Sequence, residues 1–336
     1  MHQIWKKFEK AVSITLDFRH SLKAYYKNLI YKPKRRIIME SFSRGWAFLK
    51  QAWQMVLADK DLIKPSIITL FAGFIISIIF IIPMAAASFL LGGNDNMVGQ
   101  IILFVLGALL VFSQYSVSYL FSSMTIYLIY GYLSEGDGRM DKAWAIVKRD
   151  WLDILSLAAA STFVNLIKGA VKGKGNQGGR NFLAGLIDTV WTEAAFLILP
   201  AMVIEDINLK DGLKRAGSII KNNLLLVGIS TVGVKAVTGL IGFLLGSTGI
   251  ILGFGIGFGI VSLAGPSSTF GWVSGISLGV FVASIFIIVA SVAASYTSTA
   301  YHTCLYLWAR DVEKAQTNGS NAQIAPPAPL AAVLNL

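Results

Sequence analysis

The chain has 336 residues, 55% of them hydrophobic and only 14% charged, and its mean hydropathy is positive. A soluble domain carries roughly a quarter charged residues, so the composition excludes a water-soluble globular protein. The net charge of +11 must sit outside the apolar stretches, and the single cysteine, Cys304, leaves no intrachain disulfide.

Residues 1–64 carry fourteen of the 29 basic residues and five acidic ones, a net charge of +9. Ile4, Trp5, Phe8, Val12 and Leu16 recur at helical spacing and predict an amphipathic helix. The run Lys32-Pro33-Lys34-Arg35-Arg36 breaks it. No unbroken apolar core of the kind a signal peptide needs occurs in the first 40 residues. This basic region either holds anionic lipid, at about 1 kcal/mol per basic residue near the surface, or is a solvated face that sets topology. Its interleaved Trp5, Phe8, Phe18, Tyr25, Tyr26 and Tyr31 favour lipid or protein over nucleic acid.

A nine-residue pattern occurs three times: Phe42 to Lys50, Met140 to Lys148 and Leu213 to Lys221. Each copy runs apolar, variable, basic, small, two variable, two apolar, Lys. Phe42, Trp46, Leu49 and Trp53 share one helical face, as do Met140, Trp144, Val147 and Trp151. The expected elements are basic amphipathic helices lying at a membrane interface. Trp46, Lys50, Trp53, Trp144, Lys148, Trp151 and Lys221 would be their lipid-interface residues. An internal repeat of this kind predicts a repeated architecture.

Six spans follow most simply, since about 20 apolar residues cross a bilayer as a helix. They are Pro65 to Leu91, a second from Val98, Leu152 to Ala170, Phe182 to Ile204, a fifth from Leu224 and a sixth from near Trp272. The fold class is therefore all-α, a polytopic membrane bundle built as three repeats of amphipathic helix plus membrane hairpin. Three regions result: a basic region 1–64, a membrane domain 65–313 with amphipathic helices near 138–151 and 209–223, and a polar, Pro-rich tail 314–336. The uncharged run Val98 to Ser134 is too long for one crossing, and Trp272 to Ala309 poses the same problem. Each predicts one continuous helix projecting past the bilayer, packed on the other and on the amphipathic helices. Two spans each, giving up to eight crossings, is the alternative.

With six spans, Lys and Arg number 24 on the side of the amphipathic helices and four on the other, at Lys168, Lys172, Lys174 and Arg180. That bias predicts both termini in the cytoplasm, in a prokaryotic inner membrane. In the tail, Pro326, Pro327 and Pro329 bar a helix. Leu330, Val333, Leu334 and Leu336 are expected to dock on the amphipathic helices, in the same subunit or the next.

Chemistry-bearing signals are few. Lys168, Asp188, Glu193 and Lys235 fall in or beside the spans. Glu193 and Lys235 are placed near mid-membrane, where an ionisable group is a functional candidate, with a purely structural pair as the alternative. Gly271, Gly275, Gly279 and Ala283 lie four apart, a stripe that lets helices approach closely, within one subunit or between subunits. The segment Gly253 to Gly259 holds four glycines and reads as too glycine-rich for a firm helix, so a re-entrant segment is open. Lys172 to Arg180 lacks the ending of a phosphate-binding loop. His2, His20 and His302 have no metal-site spacing, and no catalytic set assembles. No enzyme activity, cofactor or metal is expected.

The layout resembles a family of bacterial and archaeal integral membrane proteins known only as a domain of unknown function. The matching features are Arg44-Gly45-Trp46 before a Pro-started span, Trp191 to Phe196 ending at Pro200, Glu205-Asp206 before Leu213 to Ala216, and Tyr301 to Ala309. The resemblance covers about residues 41–313 and implies the six-span fold, with no activity attached. The expected function is a membrane scaffold or assembly protein that forms homo-oligomers and grips anionic lipid. The alternative is a small-molecule or ion transporter using Glu193 and Lys235.

Overall fold

The computed structural model describes residues 34–91, 96–172, 177–265, 268–318 and 324–334. Within the helices, the side chains of residues 34–42, 172, 177–180, 222–235 and 332–334 lie outside that description. The basic amphipathic segment from Ile4 to Tyr31 and most of Lys172 to Arg180 are outside it too.

Every regular element among the described residues is helical. They are α1 (Lys34–Ala58), a 3-10 turn (Lys60–Ile63), α2 (Lys64–Leu90), α3 (Met97–Glu135), α4 (Met140–Lys172), α5 (Gln177–Glu205), α6 (Leu209–Ala264), α7 (Thr269–Thr317) and α8 (Ala328–Leu334). Six stretches are long and apolar enough to cross a membrane: Lys60–Leu90, Met97–Glu135, Met140–Val171, Asn181–Glu205, Ala236–Ala264 and Thr269–Thr317. The protein is a multi-pass, all-helical membrane protein.

Local sequence sets the helix ends. Asn96, Asn208 and Ser268 cap α3, α6 and α7, each side-chain oxygen accepting a first-turn N–H. Gly136 ends α3 at a φ of 80°, a left-handed conformation that glycine adopts without a Cβ clash. The hydroxyls in the second half of α3 are satisfied within the helix, by bonds back to the preceding turn. Ser123 Oγ donates to Tyr119 O at 2.7 Å, and Thr125 Oγ1 to Phe121 O at 3.2 Å.

The bundle has two zones. At one end, α1, the second half of α3, the start of α4, the end of α5, the start of α6 and the second half of α7 share a close-packed core. Phe48, Leu128, Ile154, Ile198 and Tyr301 are fully buried there. At the other end, large apolar side chains such as Phe74, Phe104, Phe163, Phe182, Phe254 and Phe281 face outward. Such a surface is stable only against hydrocarbon. The long helices α3 and α7 run unbroken from the outward-facing zone into the packed zone.

Three sequence expectations need correction. The stretches near 138–151 and 209–223 are not separate amphipathic helices, because α4 and α6 continue without a break into the spans that follow. The glycine-rich run Gly253 to Gly259 is not re-entrant; it lies inside α6, as helix. Packing against α7 offsets the poor intrinsic helix propensity of its glycines. Pro329 does not bar a helix either, since it occupies the first turn of α8, where no intrahelical N–H is needed.

The residues of each pattern copy divide between the core and the surface. In α1 the buried line is Gly45, Phe48, Ala52 and Met55, while Trp46 is exposed and Leu49 half-buried. In α4 it is Ala143, Val147, Asp150 and Ile154, with Trp144 and Trp151 exposed. The small residue of each pattern copy (Gly45, Ala143 and Ala216) is buried, and the closing Lys50, Lys148 and Lys221 are exposed. Small side chains let these helices approach the core closely, and the larger Trp rings are left outside.

The tail is anchored on its own chain. Trp308 Nε1 donates to Ile324 O at 3.1 Å, and Pro326, Pro329 and Leu330 are buried. Helix α8 rests chiefly on α1 and more lightly on α7. Val333 and Leu334 have side chains outside the described residues, as does Leu336 altogether.

Candidate functional site

Where the packed zone meets the outward-facing zone, α3, α5 and α7 diverge around a cavity of about 170 Å³. The period of α3 puts Tyr115, Ser118, Tyr119, Ser122 and Ile126 along its wall. Helix α5 supplies Trp191, Thr192, Ala195, Phe196, Leu199 and Pro200, and α7 supplies Thr299 and His302. Pro200 has no N–H, so the Phe196 carbonyl four residues back loses its helical donor.

His302 is the charged or chargeable centre of this wall. Its Nδ1 lies 2.7 Å from Ser298 O and its Nε2 lies 3.3 Å from Glu193 Oε2. A carbonyl oxygen only accepts, so Nδ1 carries a hydrogen. The second contact then needs one more proton, held either by the imidazole or by the carboxyl group. The imidazole stacks on Phe196 with centroids 4.3 Å apart and planes 9° from parallel, and Tyr301 meets it edge-on at 5.1 Å. Ring stacking and two polar contacts fix its orientation.

A second polar group backs the α3 wall. Ser161 of α4 receives Trp191 Nε1–H at 2.9 Å and exchanges a hydrogen bond with Tyr119 Oη at 2.8 Å. Asn165 Nδ2 donates to Tyr115 Oη at 3.4 Å, and the Tyr115 and Tyr119 rings stack at 5.7 Å. These bonds hold the aromatic wall in place from outside the cavity.

The other sequence candidates sit elsewhere. Asp188 pairs with Lys168 at 2.7 Å, tying α4 to α5 near their far ends. Lys235 lies on α6 and its side chain is outside the described residues, so the described partner of Glu193 is His302. The small-residue stripe on α7 seats α6. A Cβ added to Gly279 would meet Gly253 O at 2.5 Å, and one added to Gly275 would meet Gly257 O at 2.6 Å. A Cβ on Gly249 would meet Ala283 O at 3.2 Å, and one on Gly271 would meet Ala264 Cβ at 2.6 Å. The stripe thus serves contact within the chain. Trp53, expected at the lipid interface, instead packs on the core, edge-on to Tyr296 at 6.4 Å. No group of three metal-ligating side chains occurs among the described residues.

Around the packed end, ion pairs join the turns. Arg149 contacts Asp150 at 2.6 Å and Asp206 at 3.0 Å. Arg215 of α6 bridges Glu205 of α5 and Glu313 of α7. Burial opposes the Arg215 charge, but the Glu313 and Glu205 carboxylates outweigh it and push its pKa up. The Asp59 carboxylate accepts N–H groups from Asp61 at 2.9 Å and from Gly138 at 2.8 Å, joining the turn after α1 to the turn before α4.

The sequence offered little signal for this site. Glu193 was readable as an intramembrane acid, but its partner is 109 positions away. The available hint was His302 itself, the lone ionisable side chain other than Cys and Tyr between Ala236 and Ala309. No protein-family model, no curated protein and no solved structure matches the chain. The functional reading therefore rests on the geometry of this cavity.

Proposed function

We propose that the protein is a membrane transporter or channel that binds a small solute in the cavity between α3, α5 and α7. The observation that carries this is buried His302, held by the half-buried Glu193, on the wall of a cavity lined by hydroxyl-bearing and aromatic side chains. Maintaining a polar, ionisable wall inside a membrane bundle costs stability, and function is the usual return. At about 170 Å³ the cavity is small beside the roughly 300–1,000 Å³ pockets of drug-sized ligands, so the solute is compact. Asp188 and Lys168 tie α4 to α5 on one side of it, and Arg149 with Asp206 ties α4 to the α5–α6 turn on the other.

A scaffold that grips anionic lipid is the second reading. Exposed Trp46, Trp144 and Trp151, beside exposed Lys50, Lys148 and Lys221, favour it. It is the weaker one because the glycine stripe is already occupied within the chain. Cytoplasmic termini in a prokaryotic inner membrane, the threefold repeat, self-association and kinship with the unknown-function family belong to the same proposal. The matching burial of Gly45, Ala143 and Ala216 supports the repeat.

Thiol access tests the leading reading. Ser122→Cys in a Cys304→Ala background is expected to react with a membrane-impermeant thiol reagent, because the cavity wall must reach water. A thiol as inert as one placed at Phe104 would remove the cavity as a solute site.

A further inference from the structure

We infer that the solute enters and leaves the cavity past the Lys168–Asp188 ion pair, which closes the mouth while it is formed. The inference rests on the solute-site reading above and names the route and gate of that site. The face of α5 that lines the cavity carries Trp191 and Thr192, then Ala195 and Phe196, then Leu199 and Pro200. Continued toward the start of α5, the same face reaches Asp188, three positions before Trp191 and about 4.5 Å along the axis. On α4, Ser161 backs the wall through Trp191 and Tyr119, and Asn165 and Lys168 follow it at helical spacing on one face. Asn165 Nδ2 donates to Tyr115 Oη at 3.4 Å, and Lys168 Nζ meets Asp188 Oδ1 at 2.7 Å. A line of polar side chains thus runs from the cavity wall to the ion pair.

The opposite direction is sealed. The next turns there bring Ile129 of α3, Met202 and Val203 of α5, and Leu305 and Tyr306 of α7, all no more than 2% exposed and part of the packed core. A solute passing that way must part a close-packed interior. Passing the ion pair only separates two side chains. The Lys168 side chain is 21% exposed and that of Asp188 is 55% exposed, so both charges meet water when the pair parts. An ion pair of that exposure is weak, which suits a contact that opens and recloses.

The test places a thiol in the cavity, Ser122→Cys in a Cys304→Ala background. Its modification is followed in the detergent-purified full-length protein with two membrane-impermeant thiol reagents, one cationic and one anionic. Asp188→Asn is expected to speed both at least threefold. Lys168→Asp combined with Asp188→Lys rebuilds the pair and should return both rates to the starting value. Asp206→Asn, which breaks the Arg149 pair at the packed end, should leave them unchanged. Native Cys304, fully buried in the packed core, reports general loosening. It should stay unreactive when Asp188→Asn is made in the otherwise native chain. If Asp188→Asn does not fold, as judged by gel filtration and melting, Lys168→Gln replaces it with the same expectation. Rates that ignore the broken pair overturn the inference and leave the cavity reading standing. The same holds for opposite changes with the two reagents, which would show charge steering alone, and for Cys304 becoming reactive. A folded charge-swapped protein whose rates stay high, or equal acceleration by Asp206→Asn, also overturns it. A Ser122→Cys thiol as inert as one placed at Phe104 overturns the cavity reading and this inference with it.

Discussion

Glu193 and His302 are 109 positions apart in sequence and 3.3 Å apart in the folded chain. The pair joins α5 to α7 at the cavity and leaves the His302 side chain only 3% exposed. Removing one partner of a fully buried pair costs about 3–5 kcal/mol, and Glu193, at 19% exposed, puts this pair below that range. Glu193→Gln and His302→Gln should each lower the melting temperature in detergent. The double variant should be more stable than the sum of the two losses implies, with a coupling of about 0.5–3 kcal/mol. Losses that simply add would separate the two residues.

The α6–α7 seam predicts opposite outcomes for two neighbouring glycines. Gly253→Ala drives a methyl into the Gly279 carbonyl, with Ala283 Cβ also at 3.1 Å. The helices must part, at a cost of about 1–3 kcal/mol. Gly255, two residues on, has open space around a new Cβ. There, Gly255→Ala should stabilise the helix by about 0.5–1 kcal/mol. Melting curves of the two variants should move in opposite directions.

The tail should matter to stability. Leu330 is fully buried against the packed core, and Leu→Ala at such a site costs about 2–5 kcal/mol. Leu330→Ala should therefore melt earlier, and deletion of residues 324–336 should do at least as much. An unchanged melting temperature in both would show that α8 rests on α1 without supporting it.

Topology is testable with two thiols in a Cys304→Ala background. Asn96 lies in the turn between α2 and α3, and Gln316 in the last turn of α7. The distribution of 24 against four basic residues predicts that Asn96→Cys labels from outside the cell and Gln316→Cys from the cytoplasm. Labelling of both from one side would contradict the odd number of crossings, five, between the two sites.

Much of the architecture was legible because hydropathy and length constrain membrane helices strongly. The spans, the two overlong helices and the close-approach stripe at Gly271, Gly275 and Gly279 all follow from local sequence. Which residues of α1 and α4 face the core was not legible from the pattern, because it marks an apolar face without saying what covers it. Burial there follows the small residues Gly45 and Ala143, which let the backbone approach the core. Gly253 to Gly259 was misread because helix propensity says nothing of a partner helix whose own glycines face it. The site was least legible: an acid on α5 and a histidine on α7 meet only through tertiary packing, and no spacing in the sequence encodes that contact.

The account's central claim is that the cavity beside His302 binds a solute. The direct measurement is thermal stabilisation of the detergent-purified protein by a panel of compact cationic, neutral and anionic solutes, repeated on Ala195→Phe. Ala195 is 4% exposed and lines the cavity, so the larger ring fills it. The account predicts at least one solute that raises the wild-type melting temperature in a saturable way and has no effect on a folded Ala195→Phe protein. No stabilisation by any solute, or equal stabilisation of both proteins, would contradict it.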